Sequence, residues 1–394
     1  MTTKPDDICA RPDSPPTGVN RPLASPIVPS SVYRCESPEE AASLLAGTTP
    51  GFVYSRDGHP NAAQVADRLG ELHGAEQSTV TGSGMAALAL AMLSQLEAGD
   101  HVVASSSLYG RSLRLFTGEG TRLGVSTSVV DTCDVAAAAA NITDTTRLIV
   151  VETISNPLLR VADIAALAEV AHKRGARLLV DNSFASPTVC RPLALGADLV
   201  MESVTKIING HSDVLLGWLG GSKETWSRVR DLQSTWGFFA SPWDCWLAAR
   251  GISTLHLRTE RAAANALRVA EMLGSRRDLA MVSYPGLPSH ADHALARRQF
   301  GDQFGNVVTF TLPGGTDAAR RLIAAAAETI PFCPSLGELC TTLSHPESTS
   351  HRTLTPAARS EQGITGGTIR LSVGIESAEQ ILKNVAWAID AAVK

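Results

Sequence analysis

One lysine, Lys206, closely follows a short apolar run that is typical of a buried strand. The run covers residues 199–201 within the segment GADLVMESVTKIINGHSDVLLG. An ammonium group at the end of a buried strand must find an anionic partner or lose its charge, because desolvation disfavours the charged form. A lysine whose pKa is lowered in this way can form a Schiff base with an aldehyde. Lys206 is therefore the first candidate for chemistry in this chain.

Three other predicted strand ends carry residues of unusual type. The segment STVTGSGMAALALAM predicts a strand, a turn at 82–85 and a helix, and free amides at a helix N-terminus suit a phosphate. Asp181 ends a strand in LLVDNSFASP, and Asn156 follows one in VETISNP. Each feature alone also fits a structural explanation, as a tight turn, a helix cap or a turn asparagine. Ligands of open α/β sheets bind beyond the carboxyl ends of the strands, so all four ends could converge.

Taken together, these residues match the requirements of pyridoxal 5′-phosphate (PLP). The PLP aldehyde would form a Schiff base with Lys206, and Asp181 would keep the ring nitrogen protonated. The phosphate would lie against four residues, namely Gly84, Met85, Ser203 and Thr205.

The elements around these residues predict an α/β fold. The runs HVVAS, TSVVD, RLIVVET, RLLVDNS and ADLVMES are typical of strands buried on both faces, and DIAALAEVAHKRGA between two of them has helical spacing. Such alternation indicates βαβ units and a mostly parallel sheet. After about residue 256 a long Ala-rich helix precedes GNVVTFTL, GTIRLSVGI and a closing helix. We therefore predict an N-terminal arm (1–57, extended), a large PLP-binding domain (58–255) and a smaller α+β C-terminal domain (256–394).

Composition and charge exclude several classes of function. The 394 residues are 44% apolar and 19% charged, and the net charge of -5 includes no block of like charges. This predicts no nucleic-acid partner and no anionic membrane. The longest apolar stretch is far shorter than the roughly 20 residues of a membrane span, and the start lacks a signal peptide's apolar core. Seven scattered cysteines without a CxxC pair predict a cytoplasmic protein without a metal site.

The lysine segment VTKIINGHSDVLLG resembles that of the PLP-dependent family of cysteine and methionine metabolism. This family includes cystathionine γ-synthase, cystathionine β-lyase, cystathionine γ-lyase and methionine γ-lyase. Further segments resemble the family in the same order, namely VYSRDGHPN, TGSGMAAL, SLYG, ETISNP, DNSFASP, GADLVMESVTK, YPGLPSH, PSLG and TIRLSVGIE. The resemblance covers nearly the whole chain and implies the PLP-dependent transferase fold of type I.

The resemblance also implies roles for individual residues. Lys206 would form the Schiff base and would also transfer protons between carbon atoms of the substrate. Tyr109 would stack on the PLP ring and act as an acid or base. Tyr54 and Arg56 would reach the phosphate of a neighbouring subunit, in a homotetramer whose active sites are shared across a dimer. The amino acid substrate would be held by three residues, namely Asn156, Ser335 and Arg370.

The implied function is that of a PLP-dependent enzyme of transsulfuration, acting on a small sulfur amino acid. We expect a carbon–sulfur lyase that works by β- or γ-elimination, of the cystathionine γ-lyase or β-lyase type. An alternative is γ-replacement on an activated homoserine, since HPESTSHRTLTPAARSEQGIT resembles the homoserine sulfhydrylase branch. A second alternative is a non-catalytic PLP-binding regulator, against which the intact Lys206, Tyr109, Asp181 and Arg370 argue.

Several positions depart from the family pattern. His59 and Asn61 stand where Asn and Thr are usual, and Arg111 follows LYG where a small residue or cysteine is usual. Arg111 either adds a positive charge at the substrate entrance or points outward. Glu338 replaces Gly or Asp, and Cys340 replaces a frequent Glu, in the region that sets the choice of reaction. We interpret His211, just beyond the lysine, as structural.

Overall fold

The computed structural model of the protein describes residues 4–11, 22–352 and 354–393. Its helices are α1 (Pro5–Ala10), α2 (Pro38–Leu45), α3 (Pro60–His73), α4 (Gly84–Gln95), α5 (Gly110–Arg114), α6 (Val135–Ala140), α7 (Ile164–His172), α8 (Val229–Trp236), α9 (Pro242–Ile252), α10 (Leu255–Ser275), α11 (His293–Phe300), α12 (Gly315–Ala326), α13 (Pro356–Glu361) and α14 (Ala378–Val393). Its strands are β1 (Gln77–Thr81), β2 (His101–Ser105), β3 (Ser126–Val130), β4 (Thr146–Glu152), β5 (Arg177–Asp181), β6 (Leu199–Ser203), β7 (Gly217–Gly221), β8 (Met281–Ser283), β9 (Val307–Thr311), β10 (Thr342–Ser344) and β11 (Thr368–Ser372).

Strands β1 to β7 form a seven-stranded sheet in the order β1-β7-β6-β5-β4-β2-β3. Only β7 runs against its neighbours, so the predicted mostly parallel α/β sheet is confirmed. The apolar runs in β2, β4, β5 and β6 are buried, as expected for strands covered on both faces. The same prediction for TSVVD is wrong, because β3 is the edge strand and exposes Ser126 and Val129.

The direction of the strands places their functional ends together. Strands β2, β4, β5 and β6 are parallel, so the residues after their last positions lie at one edge of the sheet. The turn from β1 into α4 lies at the same edge, where β7 begins at Gly217. A Cβ atom at Gly217 would lie 2.2 Å from the carbonyl oxygen of Ser83. Glycine is therefore required for β7 to pass beside this turn.

The smaller sheet contains β8 to β11 in the order β10-β11-β9-β8, with all pairs antiparallel. Helices α10, α12 and α14 accompany it, and α12 packs closely against α14. This region matches the α+β pattern that the sequence predicts after about residue 256. The domain boundaries at 57 and 255 stay a prediction.

The N-terminal arm is less extended than predicted. It contains α1 and α2, and both begin at a proline. Proline is favoured in the first turn of a helix, and Ser37 caps α2 by accepting a hydrogen bond from the amide of Glu40. The Pro- and Ser-rich composition therefore marks helix starts as well as extended chain. Residues 1–3 and 12–21 of the predicted arm lie outside the described residues.

Candidate active site

A cavity of about 290 Å³ lies beyond the carboxyl ends of β2, β4, β5 and β6. The N-terminus of α4 forms one wall, and residues 334–336, Ser350 and Arg370 close the cavity from the side of the smaller sheet. Every residue predicted to contact the cofactor or substrate lines this cavity, except Tyr54 and Arg56. Its size is at the lower end of the range for small-molecule sites, roughly 300–1,000 Å³.

The amine of Lys206 contacts a hydroxyl group. Its Nζ donates a hydrogen bond of 2.9 Å to Oγ of Ser335, and no carboxylate of the described residues forms a hydrogen bond with it. Burial lowers the pKa of Lys206, the nearby Glu338 carboxylate opposes this shift, and the Arg370 cation adds to it. A lysine without a paired anion and with a lowered pKa is suited to act as a nucleophile or a base.

The guanidinium of Arg370 is buried at the substrate end of the cavity. Its Nη1 donates to Oδ1 of Asn156 at 2.8 Å, and its Nη2 donates to the backbone oxygen of Ser335 at 2.7 Å. The cation lies over the ring of Phe184, 5.8 Å from its centre. Burial lowers the pKa of Arg370 to about 10, while Glu338 opposes this shift. The Nε atom is buried without a partner among the described residues, so donors remain for a carboxylate.

The N-terminus of α4 forms a cradle for an anion. The hydroxyl of Ser83 caps the helix at the amide of Ala86, whereas the amides of Gly84 and Met85 have no acceptor among the described residues. A Cβ atom at position 84 would lie 2.9 Å from Cβ of Ser203, so only glycine allows this approach. Two free amides at the positive end of a helix suit a phosphate, and these residues fit PLP.

Thr205 lines the cavity but already uses its hydroxyl group. It donates a hydrogen bond to the backbone oxygen of Leu216 at 3.2 Å and accepts one from the amide of Leu216 at 3.1 Å. Its single proton could reach a phosphate only if the first bond were given up. The predicted phosphate contact of Thr205 therefore requires a local rearrangement, whereas that of Gly84 and Met85 does not.

Asp181 ends β5 and faces the cavity. Its Oδ1 accepts a hydrogen bond of 3.0 Å from the amide of Ser183. Burial raises the pKa of Asp181 to about 6, against the lowering effect of the Ser183 hydrogen bonds, and the charge of Glu202 raises it further. A cationic group beside this carboxylate would stabilise its charged form. The protonated ring nitrogen of PLP is such a group, so Asp181 fits the cofactor as well.

A second carboxylate, Glu152, lies beside Asp181 and is absent from the residues predicted from the sequence. It ends β4 in register with Asp181, and its Oε1 accepts a hydrogen bond of 2.6 Å from the amide of Tyr109. Its Oε2 is buried without a partner among the described residues, and burial together with the Asp181 charge raises the pKa of Glu152. The placement of Glu152 at a strand end, like that of Asp181, could have identified it.

Tyr54 and Arg56 lie away from the cavity of their own chain. Both side chains are exposed, and the guanidinium of Arg56 lies 5.0 Å from the centre of the Tyr54 ring. Their expected action in a neighbouring subunit stays a prediction. Arg111 is also exposed and does not line the cavity, whereas the adjacent Ser112 does.

Two of the residues that depart from the family pattern, His59 and Asn61, have structural contacts, and so does His211. His59 caps α3 through its Nδ1 and contacts the backbone oxygen of Ala240 through its Nε2 at 2.9 Å. The side chain of Asn61 holds the arm at Pro26 and Val28. His211 contacts the backbone oxygen of Asn209 at 2.6 Å, which fits a structural role.

The other two departures, Glu338 and Cys340, shortly follow residues 334–336, which line the cavity. Oε2 of Glu338 is buried without a hydrogen-bond partner among the described residues. The charge of Glu338 raises the pKa of both Lys206 and Arg370, against the larger lowering effect of burial. Cys340 is exposed and does not line the cavity. In the described ranges, no three His, Cys, Asp or Glu side chains are grouped so as to hold a metal ion, and no helix has the length and apolarity of a membrane span.

Comparisons with known proteins identify the family. The family model for Cys/Met metabolism PLP-dependent enzymes matches residues 9–390. The chain is 40% identical to the O-succinylhomoserine sulfhydrylase of Pseudomonas aeruginosa, over 92% of this chain and 89% of that protein. It is 36% identical to an L-methionine gamma-lyase of Porphyromonas gingivalis, over 94% and 93% of the two chains. The solved cystathionine gamma synthase of Xanthomonas oryzae pv. oryzae superimposes with a TM-score of 0.93 at 33% identity, covering 100% of this chain and 99% of that one.

These matches confirm the predicted family and the PLP-dependent fold of type I. They also confirm PLP as the cofactor, and they support an enzyme of sulfur amino-acid metabolism over a non-catalytic regulator. The protein is a member of the PLP-dependent enzymes of cysteine and methionine metabolism.

Proposed function

We propose that this enzyme breaks the bond between the γ-carbon of a sulfur amino acid and its sulfur atom, with Lys206 as the proton carrier. The main observation behind this proposal is that Ser335 contacts both the candidate proton carrier, Lys206, and the candidate carboxylate-binding residue, Arg370. The hydroxyl oxygen of Ser335 accepts a hydrogen bond from Lys206, and its backbone oxygen accepts one from Arg370. An amino acid whose carboxylate is held by Arg370 would therefore present its α-carbon beside the lysine amine.

The cofactor and the protein divide the work. When bound, PLP supplies the electron sink for a carbanion, which no side chain can provide. Gly84 and Met85 would hold its phosphate, and Asp181 would balance the charge of its ring nitrogen. Lys206 would hold the aldehyde in the resting enzyme and regain a free amine when the substrate amine replaces it. The lowered pKa of Lys206 favours an uncharged amine that can accept a proton.

Tyr109 is positioned as a second proton carrier. It lines the cavity at the start of α5, where the Glu152 carboxylate holds its backbone amide. Elimination at the γ-carbon requires proton removal at both the α- and the β-carbon and a proton for the leaving group. Two carriers on different walls of one cavity suit this sequence of steps, and they serve β-elimination as well.

γ-Replacement on an activated homoserine is the second candidate. It is favoured by the sulfhydrylase and by the cystathionine gamma synthase among the relatives. Replacement shares the early steps with elimination and differs in the capture of the product by a thiol or sulfide. The same residues therefore support both reactions, and the products must distinguish them.

We further propose that the active site is completed by a second copy of this chain, in a homotetramer. An exposed aromatic group on α8, α9 and the loop between them supports this interface, since Trp236, Phe239 and Trp243 are 55%, 41% and 55% exposed. Leu215 lines the cavity and is 59% exposed, so the cavity extends to a surface that a partner can cover. Tyr54 and Arg56 would then reach the partner's phosphate site.

A cytoplasmic location is also proposed. All seven cysteines are free thiols, and Cys9, Cys190 and Cys245 are buried. Buried thiols without disulfides are typical of proteins in a reducing compartment.

The test is turnover of five amino acids by the PLP-loaded enzyme, namely cystathionine, cysteine, methionine, O-acetylhomoserine and O-succinylhomoserine. We expect 2-oxobutyrate from cystathionine or methionine, whereas pyruvate would indicate β-elimination and a new thioether would indicate replacement. Lys206→Ala should abolish turnover and the visible absorbance of the lysine–PLP adduct. Lys223→Ala, at an exposed lysine outside the cavity, is the matched control. Absence of turnover with every compound would refute the proposal.

A further inference from the structure

The position of Tyr109 depends mainly on its backbone. The residue lines the cavity and is 38% exposed, and within the described ranges its hydroxyl group makes no hydrogen bond. Its amide donates a hydrogen bond of 2.6 Å to Oε1 of Glu152, and its backbone oxygen accepts one of 2.9 Å from the amide of Leu113. Because the side chain has no hydrogen bond of its own, these two backbone contacts largely determine where its hydroxyl group lies.

The helix after Tyr109 gives little further support to this residue. Helix α5 has only 5 residues and continues directly into a π-helical turn at Leu115–Gly120. Tyr109 occupies the N-cap position, where backbone amides have no partner inside the helix, and its side chain makes no capping hydrogen bond. The preceding Leu108 is buried and anchors the loop, so loss of the Glu152 contact should turn Tyr109 without unfolding the loop.

Glu152 is a rigid partner for this amide. It is the last residue of β4, which lies between β2 and β5 inside the large sheet. Only 8% of Glu152 is exposed, yet it lines the cavity, and its Oε2 is buried without a hydrogen-bond partner in the described part of the chain. A carboxyl group kept for the fold alone would be expected to use both oxygens, because a buried unsatisfied oxygen is costly. This cost indicates a role in the active site.

The hydrogen bond to Tyr109 does not require a particular charge on Glu152. Burial raises the pKa of Glu152, and the charge of Asp181 adds to this effect, whereas the amides of Tyr109 and Asn156 oppose it. Both the charged and the neutral carboxyl group keep an oxygen that can accept a hydrogen bond from an amide. The reach of the Glu152 side chain is therefore the property that matters for Tyr109.

We propose that Glu152 is the positioning residue for Tyr109, and that its hydrogen bond to the Tyr109 amide aims the phenol hydroxyl at the leaving group of the substrate. In the proposed reaction the carbon–sulfur bond breaks with its electron pair on sulfur, and Tyr109 supplies the proton that converts the departing group into a thiol. Proton removal at the α-carbon belongs to Lys206, which is held separately by Ser335. The inference rests on this proposed function and adds a residue that acts only through Tyr109.

Two substitutions separate the reach of Glu152 from its charge. Glu152→Gln keeps the length of the side chain and an acceptor oxygen, and it removes the charge. Glu152→Asp keeps the carboxyl group but shortens the side chain by one carbon–carbon bond, roughly 1.5 Å, so that it no longer reaches the Tyr109 amide. We expect kcat about tenfold lower with little change of KM in Glu152→Asp, whereas the conservative Glu152→Gln should retain most of kcat.

Proton exchange at the α-carbon shows which proton carrier is affected. L-norleucine resembles methionine but has no leaving group, so in deuterated water the PLP-loaded enzyme can exchange its α-proton but cannot eliminate. Nuclear magnetic resonance measures this exchange, which requires Lys206 and no proton for a leaving group. Glu152→Asp should keep the exchange rate within about twofold of wild type while turnover falls about tenfold. A loss of stability or of PLP binding would instead reduce both rates alike.

A double-mutant cycle tests whether Glu152 acts through Tyr109. In Tyr109→Phe the hydroxyl group is already absent, so adding Glu152→Asp should lower turnover by no more than about twofold. Full additivity of the two effects would overturn the inference, as would an equal fall of exchange and turnover in Glu152→Asp. Higher turnover in Glu152→Asp than in Glu152→Gln would also overturn it, because charge would then matter more than reach.

Thermal unfolding of each variant shows whether it folds. If Glu152→Asp does not fold, Glu152→Gln decides alone, since retained turnover supports the inference and a tenfold loss contradicts it. Failure of the proposed function is a different result, in which the wild-type enzyme neither exchanges the α-proton of L-norleucine nor turns over any of the five amino acids.

Discussion

Substitution of Ser335 by alanine should separate proton transfer from carboxylate binding. The hydroxyl of Ser335 accepts the 2.9 Å hydrogen bond from Lys206, whereas its backbone oxygen accepts the 2.7 Å bond from Arg370. Alanine removes the first contact and keeps the second. The variant should therefore transfer protons more slowly while binding the substrate carboxylate as before.

The magnitude follows from the hydrogen bond that is lost. A hydrogen bond between a hydroxyl and an amine that becomes charged contributes about 1.5 kcal/mol, which corresponds to about tenfold in rate. We expect kcat to fall by this factor with KM nearly unchanged. Since the slowed step is proton removal, the isotope effect with substrate deuterated at the α-carbon should increase.

The assay is steady-state turnover of the best substrate, with protonated and deuterated forms compared. Ser350→Ala is the matched control, because Ser350 also lines the cavity but its hydroxyl contacts Nδ1 of His351 at 2.8 Å instead of Lys206. The control should retain the wild-type isotope effect. A rise in KM with unchanged kcat in Ser335→Ala would refute the reasoning, since it would assign the hydroxyl to substrate binding.

Three further predictions concern the cofactor and substrate contacts. Gly84→Ala places a methyl group about 2.9 Å from Cβ of Ser203 and should weaken PLP binding by about 2 kcal/mol, or about thirtyfold. Absorbance titration measures this affinity, and an unchanged value would argue against a phosphate site at the start of α4. Arg370→Lys loses the planar fork and should raise KM about thirtyfold without weakening PLP binding, so an equal loss of PLP affinity would argue against a substrate role. Asp181 has a folded-state pKa raised from 3.8 to about 6, so the folded apoprotein binds more protons than the unfolded chain and loses stability as pH rises from about 4 to about 6. Asp181→Asn should therefore gain about 2 kcal/mol relative to the wild type over this interval in urea unfolding, and a constant difference between the two proteins would contradict the shift.

The sequence predicts the buried parallel strands well, because each is a continuous apolar run. It misses β7, whose segment GWLGG pairs with strands on both sides although glycine is unfavourable in strands. The glycines of β7 are explained by close approaches, since a Cβ atom at Gly217 would lie 2.2 Å from the Ser83 oxygen. Such contacts depend on the fold and leave no periodic pattern. The same limit explains β3, whose position at the edge of the sheet cannot be deduced from its own apolar residues.

The residues of the site differ in how they could be found. Lys206 and Asp181 are identified by physical reasoning, because polar groups at the ends of buried strands need an explanation. Ser335 and Arg370 enter only through the family resemblance, since an arginine within a strand is unremarkable in sequence. They meet Lys206 because the smaller sheet docks against the larger one. Glu152, like Asp181, is a carboxylate at the end of a buried strand and could have been found by the same reasoning. Its hydrogen bond with the backbone amide of Tyr109 is visible only in the structure.

The cationic side chains and the strand-end carboxylates lie on different sides of the cavity. Lys206 and Arg370 lie on one side with Glu338 as the nearby carboxylate, and burial lowers the pKa of both cations. Asp181 and Glu152 lie together on the other side, and burial raises the pKa of both acids. Each group is therefore biased toward its neutral form by its burial, and Glu338 only partly offsets this effect for the two cations.

PLP carries groups that complement these side chains. It has an anionic phosphate, an aldehyde that can form a Schiff base with the lysine amine, and a ring nitrogen that can be protonated beside Asp181. Binding of the cofactor should accordingly relieve costs that the folded apoprotein bears. A ligand that binds only the folded state also raises its stability in proportion to the logarithm of the ligand concentration. We therefore expect the charge distribution that prepares the site for chemistry also to couple the stability of the folded protein to cofactor binding.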